Sequence, residues 1–246
     1  MIYWLDHPWF EQFKIQKDQA WYWKVDEKEW RERLIKTIQS LCFNNLVMVP
    51  FFLTIGVLQH DFQPEYSYKV EDLPSAWTFL WQTYVLVIIE DQIFTASHRL
   101  LHTPWFYKHI HKQHHTYTLS IGLCAEYSHP LEFFLGNILP LTIPATLINL
   151  TVGMHYWTMM WITAQRIAST TIGHSGYDFP FEPTELYPFK AYARYHDFHH
   201  GKNQNGNYGG GVILSDYIMG WNKEYYEHLD NKVYKGKGSP ESKKKN

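Results

Sequence analysis

Histidines dominate the chemistry open to this chain. Between His98 and His115 the sequence reads HRLLHTPWFYKHIHKQHH, and HDFHH follows at 196–200. His98 and His102 are four apart. His111, His114 and His115 stand at i, i+3 and i+4, and His196, His199 and His200 repeat that pattern. On a helix, residues three or four apart share a face, with Cβ atoms roughly 5–6 Å apart. Each cluster is therefore expected to aim two or three imidazoles at one point. Neutral imidazole suits Zn, Cu, Fe and Ni. A tetrahedral zinc takes four ligands, so eight such nitrogens are too many for one site and suit a two-metal centre. A lone histidine is more often a core or surface residue than a ligand. Here twelve of the fifteen histidines fall between 98 and 200, in ordered aromatic sequence rather than a low-complexity tract.

Other polar residues flank the clusters. Glu90 and Asp91 lie one to two turns before His98, where carboxylates can orient ligating imidazoles; the alternative is an exposed helix end. Asp197 sits inside HDFHH with the same supporting role open to it. Glu126 and His129 form a single Glu-x-x-His. Carboxylate di-iron bundles need such motifs in pairs, so that fold is not expected, and His129 is read as a further ligand or a supporting partner. His155 is read as structural.

The elements that must position these residues are apolar. Residues 40–59 carry no charge, and twenty residues span roughly the 30 Å hydrocarbon core as a helix. Asn44, Asn45 and Pro50 interrupt that run and are tolerable where they face protein. Residues 76–95 are apolar up to Glu90. Residues 134–172 are long enough for two spans, with a tight turn near Thr151–Gly153 and kinks at Pro140 and Pro144. Arg166 in the last arm should point inward. Gly176 and Pro180 mark a turn out of the membrane, which returns His174 to the side carrying the clusters. The expectation is an all-α integral membrane protein of about four transmembrane helices in two hairpins, under a cytosolic helical cap that carries a histidine-rich di-metal site. The divisions are 1–36 (an interfacial or cytosolic segment), 37–230 (the membrane-embedded catalytic domain) and 231–246 (a polar tail).

Composition narrows the class further. Aromatics make up 18% of the 246 residues and the net charge is −2. No basic patch carries a reading motif, so no nucleic-acid partner is expected. Cys42 and Cys124, the only cysteines, make no disulfide framework and read as structural thiols. No apolar leader opens the chain. Trp4, Trp9, Trp21, Trp23 and Trp30 in the first 36 residues suggest an interfacial segment, since Trp favours the membrane–water boundary; a soluble cap with packed Trp is the alternative. Lys and Arg concentrate on the histidine side, whereas loop 60–75 has one Lys and no Arg, so the positive-inside rule makes that side cytosolic. Lys243 and Lys244 match a dilysine retrieval signal for the endoplasmic reticulum.

The three clusters together resemble the eight-histidine signature of the fatty acid hydroxylase / sterol desaturase superfamily, over roughly residues 85–230. That resemblance implies a multi-pass di-iron oxygenase of the endoplasmic reticulum membrane, using dioxygen and electrons from NADH through cytochrome b5 and its reductase. It assigns two iron ions to His98, His102, His111, His114, His115, His196, His199 and His200, with His174 as a ninth ligand. Ile89-Glu90-Asp91, AEYSHPLE around His129, and HSGYD with HDFHH look like the 4-methylsterol oxidase branch. The expected reaction is oxidation of a sterol 4-methyl group. Departures touch the substrate rather than the metal: Tyr195 stands where the family usually has His, RIASTTIG precedes HSGYD, and LSDYIMGWN closes the motif region. A sterol side-chain hydroxylase, a desaturase and a fatty-acyl hydroxylase remain as rivals of the same class. A non-catalytic membrane metal-binding protein and a zinc hydrolase remain from other classes. A carrier should hold its ligands within the spans, whereas these clusters follow them.

Overall fold

A computed structural model describes residues 7–59, 66–180, 187, 189–202 and 204–236. Trp4 and the Lys243–Lys244 pair lie outside them. Among the described residues there is no strand, and isolated bridges join Lys14 to Tyr177, Ser67 to His155 and Lys190 to Val212.

Two short helices, α1 (Pro8–Glu11) and α2 (Tyr22–Val25), lead to α3 (Glu27–Phe43). Asp26 caps α3 by accepting from the Glu29 N–H at 2.9 Å, and Glu27 and Glu29 sit in the first turn, where the helix dipole favours anions. The chain runs on through a π-helical turn, Asn44–Met48, into α4 (Val49–Gln59). The wide turn falls just before Pro50, which has no N–H to give and whose ring crowds the carbonyl four residues back. Asn44 is buried there and donates to the Ser128 carbonyl at 3.1 Å. Asn45 is exposed and folds back onto the Leu41 carbonyl of its own helix at 2.9 Å. This continuous run has 33 residues, about 50 Å at 1.5 Å per residue. The 36/37 division therefore lies inside one unbroken helix: the composition changes there and the backbone does not.

Ser75 caps α5 (Ala76–Leu101), accepting from the Thr78 N–H at 3.1 Å. After α6 (Pro104–His109) come two 3-10 turns, His111–Thr116 and Gly122–Glu126. His129 caps α7 (Pro130–Phe133), which passes through a second π turn, Phe134–Ile138, into α8 (Leu139–Val152). Here too the wide turn precedes a proline, Pro140. Gly153, at φ 74°, closes α8, a conformation glycine adopts without Cβ strain. His155 then caps α9 (Tyr156–Gly173): its Nδ1 accepts from the Trp157 N–H at 3.0 Å and its Nε2 donates to the Lys69 carbonyl at 3.0 Å. The turn between α8 and α9 thus lies within two residues of the expected place. Three helices follow: α10 (Ala193–Gly201), α11 (Leu214–Met219) and α12 (Lys223–Gly236). The expected tail boundary at 230/231 falls inside α12.

Helix α5 packs along α8 and against α9 around Leu86, Ala145, Ile148, Met154 and Ile162. The outside of this bundle is apolar as well: Leu46, Leu53, Trp77, Leu150 and Ile167 are each more than half exposed. So much unburied hydrocarbon on helices whose Glu90, Asp91 and Arg166 turn inward calls for an apolar solvent. Among the described residues two runs, Glu27–Gln59 and Pro130–Val152, are long and apolar enough to cross a membrane.

The cap has its own core of Trp21, Trp30, Tyr117, Leu119, Ile121, Cys124 and Tyr177. Of the two readings of the Trp-rich start, the packed cap is the one that accounts for Trp21 and Trp30. Trp21 and Trp30 are buried, Trp23 stacks on Trp21 at 5.3 Å, and of the described tryptophans before residue 36 only Trp9 is exposed. Their partners Tyr117 and Tyr177 lie far along the chain.

Candidate metal centre

Four elements end at one place. Helix α5 carries His98 in its last turn and stops on His102; the first 3-10 turn carries His111, His114 and His115; α9 stops on His174; α10 carries His196, His199 and His200. The structure brings all nine together, in two groups. One holds His98, His102, His111, His115 and His199; the other holds His114, His174, His196 and His200. Within each group the candidate ligand atoms lie within 4.8 Å of one another.

The clusters do not each serve one point, as their spacing suggested. Both HxxHH motifs split. The i and i+4 residues (His111 with His115, His196 with His200) stay together, and the i+3 residue crosses to the group built by the other motif. On α10 neighbouring residues point about 100° apart, so His199 and His200 do not converge; on the 3-10 turn His114 and His115 part in the same way. Rings face each other across the divide: His115 and His200 stack at 4.6 Å, and His114 lies 5.4 Å from His111.

The nitrogen spacing fits a cation better than hydrogen bonds. The Nε2 atoms of His102, His111 and His115 form a triangle with edges of 3.1, 3.2 and 3.0 Å. A neutral imidazole nitrogen either donates or accepts, so in any triangle at least two are alike and one edge is unsatisfied. In the second group the Nε2–Nε2 separations are 3.2 Å (His114–His174), 2.9 Å (His174–His196) and 3.1 Å (His196–His200). Two nitrogens bound at the usual 2.0–2.1 Å are about 2.9 Å apart at right angles and about 3.3 Å apart in a tetrahedron. Both groups therefore fit a metal ion.

Backbone carbonyls fix several tautomers. Nδ1 of His98 donates to Tyr208 O at 2.7 Å, that of His199 to Gly206 O at 2.6 Å, and that of His174 to Thr170 O at 2.8 Å. A carbonyl only accepts, so Nδ1 carries the proton and Nε2 keeps its lone pair for a metal. Burial pushes His102, His111, His114, His115, His196 and His200 below the usual imidazole range, and the neighbouring imidazoles add to it. Burial takes His174 down to about 4. Neutral imidazole is the ligating form.

The surrounding carboxylates sort differently from expectation. Glu90 and Asp91 are buried rather than at an exposed end, yet neither binds a histidine directly. Glu90 pairs with Arg166. Asp91 Oδ1 accepts the N–H groups of Gly210, Gly211 and Val212 at 3.1, 2.7 and 3.0 Å. Both carboxyl oxygens of Asp197 accept from Gln16 Nε2, at 3.1 and 3.0 Å. Glu126 Oε2 has no hydrogen-bond partner. His129 lies in neither group; its Nδ1 caps α7 by accepting from the Leu131 N–H at 3.1 Å. The carboxylate that does face the site is Glu132, whose Oε1 is 3.0 Å from His111 Nδ1 and 4.0 Å from His114 Nδ1. The sequence reading stopped one helical turn short of it, at the Glu126–His129 pair. Asp216, which accepts from Tyr195 and two backbone N–H groups, was missed as well.

A cavity opens from the centre into the bundle. His98, His111, His114, His174 and His196 line one end, and Val87, Phe94, Leu141 and Ile162 line its walls. Arg166 enters the wall from α9, over the Phe94 ring at 4.9 Å. Its Nη2 donates to Gly136 O at 2.9 Å, the carbonyl that Pro140 leaves without its α-helical donor. Tyr187 and Gln165, joined at 2.8 Å, add the other polar pair.

The pattern of the fatty acid hydroxylase family matches residues 83–221. The chain is 33% identical to a methylsterol monooxygenase 1 of Gallus gallus over 91% of its length and 70% of the relative's. It is 34% identical to that of Danio rerio, over 91% of this chain and 72% of the relative. A very-long-chain aldehyde decarbonylase of Oryza sativa subsp. indica is 35% identical over 88% of this chain and 75% of its own. No solved structure matches.

Proposed function

The chain belongs to the fatty acid hydroxylase family, and from that premise we propose an iron-dependent membrane oxygenase that oxidises a sterol at a 4-methyl group. The observation that carries the reading is the pair of all-histidine groups, members of both of which line a largely apolar cavity. Nitrogen ligation without carboxylates suits iron that must act on dioxygen, whereas a zinc hydrolase would call for a Ser or Cys nucleophile arrangement or an HExxH motif, and the sequence shows neither.

His98, His102, His111, His115 and His199 would hold one iron, and His114, His174, His196 and His200 the other. Bound there, the iron pair supplies dioxygen reduction and hydrogen abstraction from a substrate carbon. The protein's share is orientation and exclusion of water. The carbonyls of residues 170, 206 and 208 keep three Nε2 lone pairs on the metals. Val87, Phe94, Leu141 and Ile162 give the substrate an apolar slot that continues into the lipid-facing bundle. Arg166 and Glu90 keep each other neutralised in its wall. The four long apolar helical stretches would form two hairpins, with the cap, residues 1–36 and the tail on the cytosolic side of the endoplasmic reticulum. Electrons would arrive there from NADH through cytochrome b5 and its reductase.

Gas chromatography–mass spectrometry of sterols from cells with and without the chain tests the substrate. Accumulation of a 4-methylated sterol on its loss supports the proposal. A change confined to the sterol side chain or to ring unsaturation overturns the 4-methyl assignment. No sterol change, with altered long-chain acyl or aldehyde products, moves the substrate toward the class named for the Oryza relative.

A further inference from the structure

Residues 206–212, GNYGGGV, form a loop between α10 and α11 that meets the five-histidine group through two backbone carbonyls and through the Tyr208 ring, whose centroid lies 5.7, 5.3 and 5.8 Å from those of His98, His102 and His199. Gly206 O accepts from His199 and Tyr208 O from His98. Both histidines belong to the five-histidine group. The loop is itself held from below by two buried carboxylates. Asp91 gathers the N–H groups of Gly210, Gly211 and Val212 on one oxygen. Asp216 takes the Tyr208 N–H at 3.1 Å, the Gly209 N–H at 2.7 Å and the Tyr195 hydroxyl at 2.8 Å. Their residues are 1% and 0% exposed. A buried carboxylate is costly unless its lone pairs are taken, and here seven donors take them, Thr95 Oγ1 on Asp91 Oδ2 at 3.4 Å included. The glycines are needed for this approach. A Cβ on Gly210 would stand 2.8 Å from the Phe94 ring and one on Gly209 3.0 Å from Asp216 Oδ2.

We infer that Asp91 and Asp216 are positioning residues for one half of the metal centre, acting on His98 and His199 through the carbonyls of this loop. This rests on the two-metal reading above. The four-histidine half lacks that loop contact: His174 is oriented by Thr170 O of its own helix, and among the described residues no hydrogen bond joins its histidines to residues 206–212. Tyr195, which stands directly before HDFHH, ties α10 to the same clamp. Charge matters as well as shape, because a carboxylate drawing in several N–H groups makes stronger hydrogen bonds than a neutral amide. Replacing Asp216 with Asn turns one accepting oxygen into an NH2 that faces a donor. Asp91→Asn is milder, since a single Oδ1 accepts all three loop bonds and an amide oxygen can remain there.

The test is the metal content and magnetic spectrum of the full-length chain, purified in detergent and loaded with ferrous iron. Wild type, Asp91→Asn, Asp216→Asn and Tyr195→Phe are compared, with helicity checked by circular dichroism. The expected result is a fall from two irons per chain toward one in Asp216→Asn, with an isolated-ion signal replacing a coupled pair. Tyr195→Phe and Asp91→Asn should show the same change more weakly. Full iron content and an unchanged coupled spectrum in folded Asp216→Asn and Asp91→Asn would overturn the inference. So would equal loss from both halves in folded Asp91→Asn. A wild type that binds fewer than two irons instead overturns the two-metal reading, and this inference with it.

Discussion

The two halves of the metal centre are made from the same motifs and supported by different means. The five-histidine half draws on α5, the 3-10 turn at 111–116 and α10, and two of its rings are oriented by a distant loop. The four-histidine half draws on α9, α10 and one residue of that turn, and its His174 is oriented from within α9. One half has a ligand to spare and borrowed support; the other has no spare and local support. A motif is therefore not a site. Each HxxHH contributes to both halves, so the halves are locked in register by the backbone of two short helical segments.

The largest effect expected is from the crossing residues. His114→Ala and His199→Ala should each reduce turnover to background while the protein still inserts in membranes, measured as product formed by microsomes expressing each variant. Near-normal activity in either would separate the motif from the centre. A sharper contrast follows from ligand number. His200→Ala leaves three donors and His115→Ala leaves four, so iron retention after gel filtration should fall further in His200→Ala. Equal retention would mean that the fifth histidine adds nothing.

Next in size is Glu132→Gln. Partners of ligating histidines typically matter by about 10–100-fold in metal affinity or activity. Glu132 is closer to His111 than to His114, so the loss should appear first in the five-histidine half, as weaker iron binding in a competition titration with a chelator. The smallest effect concerns acid. In the metal-free chain His174 is held at about 4, below its ordinary 6.5. The unfolded chain then takes up protons first as pH falls. That contribution to stability is complete above about pH 6.5 and is lost progressively between 6.5 and 4. Thermal unfolding of the metal-free protein at pH 7 and pH 5 should show the lower midpoint at pH 5, and a His174→Gln variant should show a smaller difference.

Eight of the nine histidines and the apolar stretches were legible because both follow simple periods; His174 stands alone in the sequence and came only from the family resemblance. The split between halves was not, since i+3 and i+4 spacing predicts a shared face and hides the wide angle between adjacent residues. Glu132 and Asp216 were out of reach because their partners lie far along the chain: Glu132 meets His111 twenty-one residues back, and Asp216 meets Tyr195 twenty-one residues back. Trp21 and Trp30 left two readings open because a tryptophan among charges looks alike at a lipid interface and over a distant tyrosine. Asn44 and Pro50 registered as flaws in a span; in three dimensions they mark a π turn and a bond to Ser128.

The central claim is that nine histidines divide between two metal positions. X-ray absorption at the iron edge, on the full-length chain with its iron counted, tests it most directly. Two irons per chain, each with a nitrogen shell and the outer scattering of imidazole rings, is the predicted result. One iron per chain in a folded protein, or a first shell of sulfur or carboxylate oxygen without imidazole scattering, would contradict it.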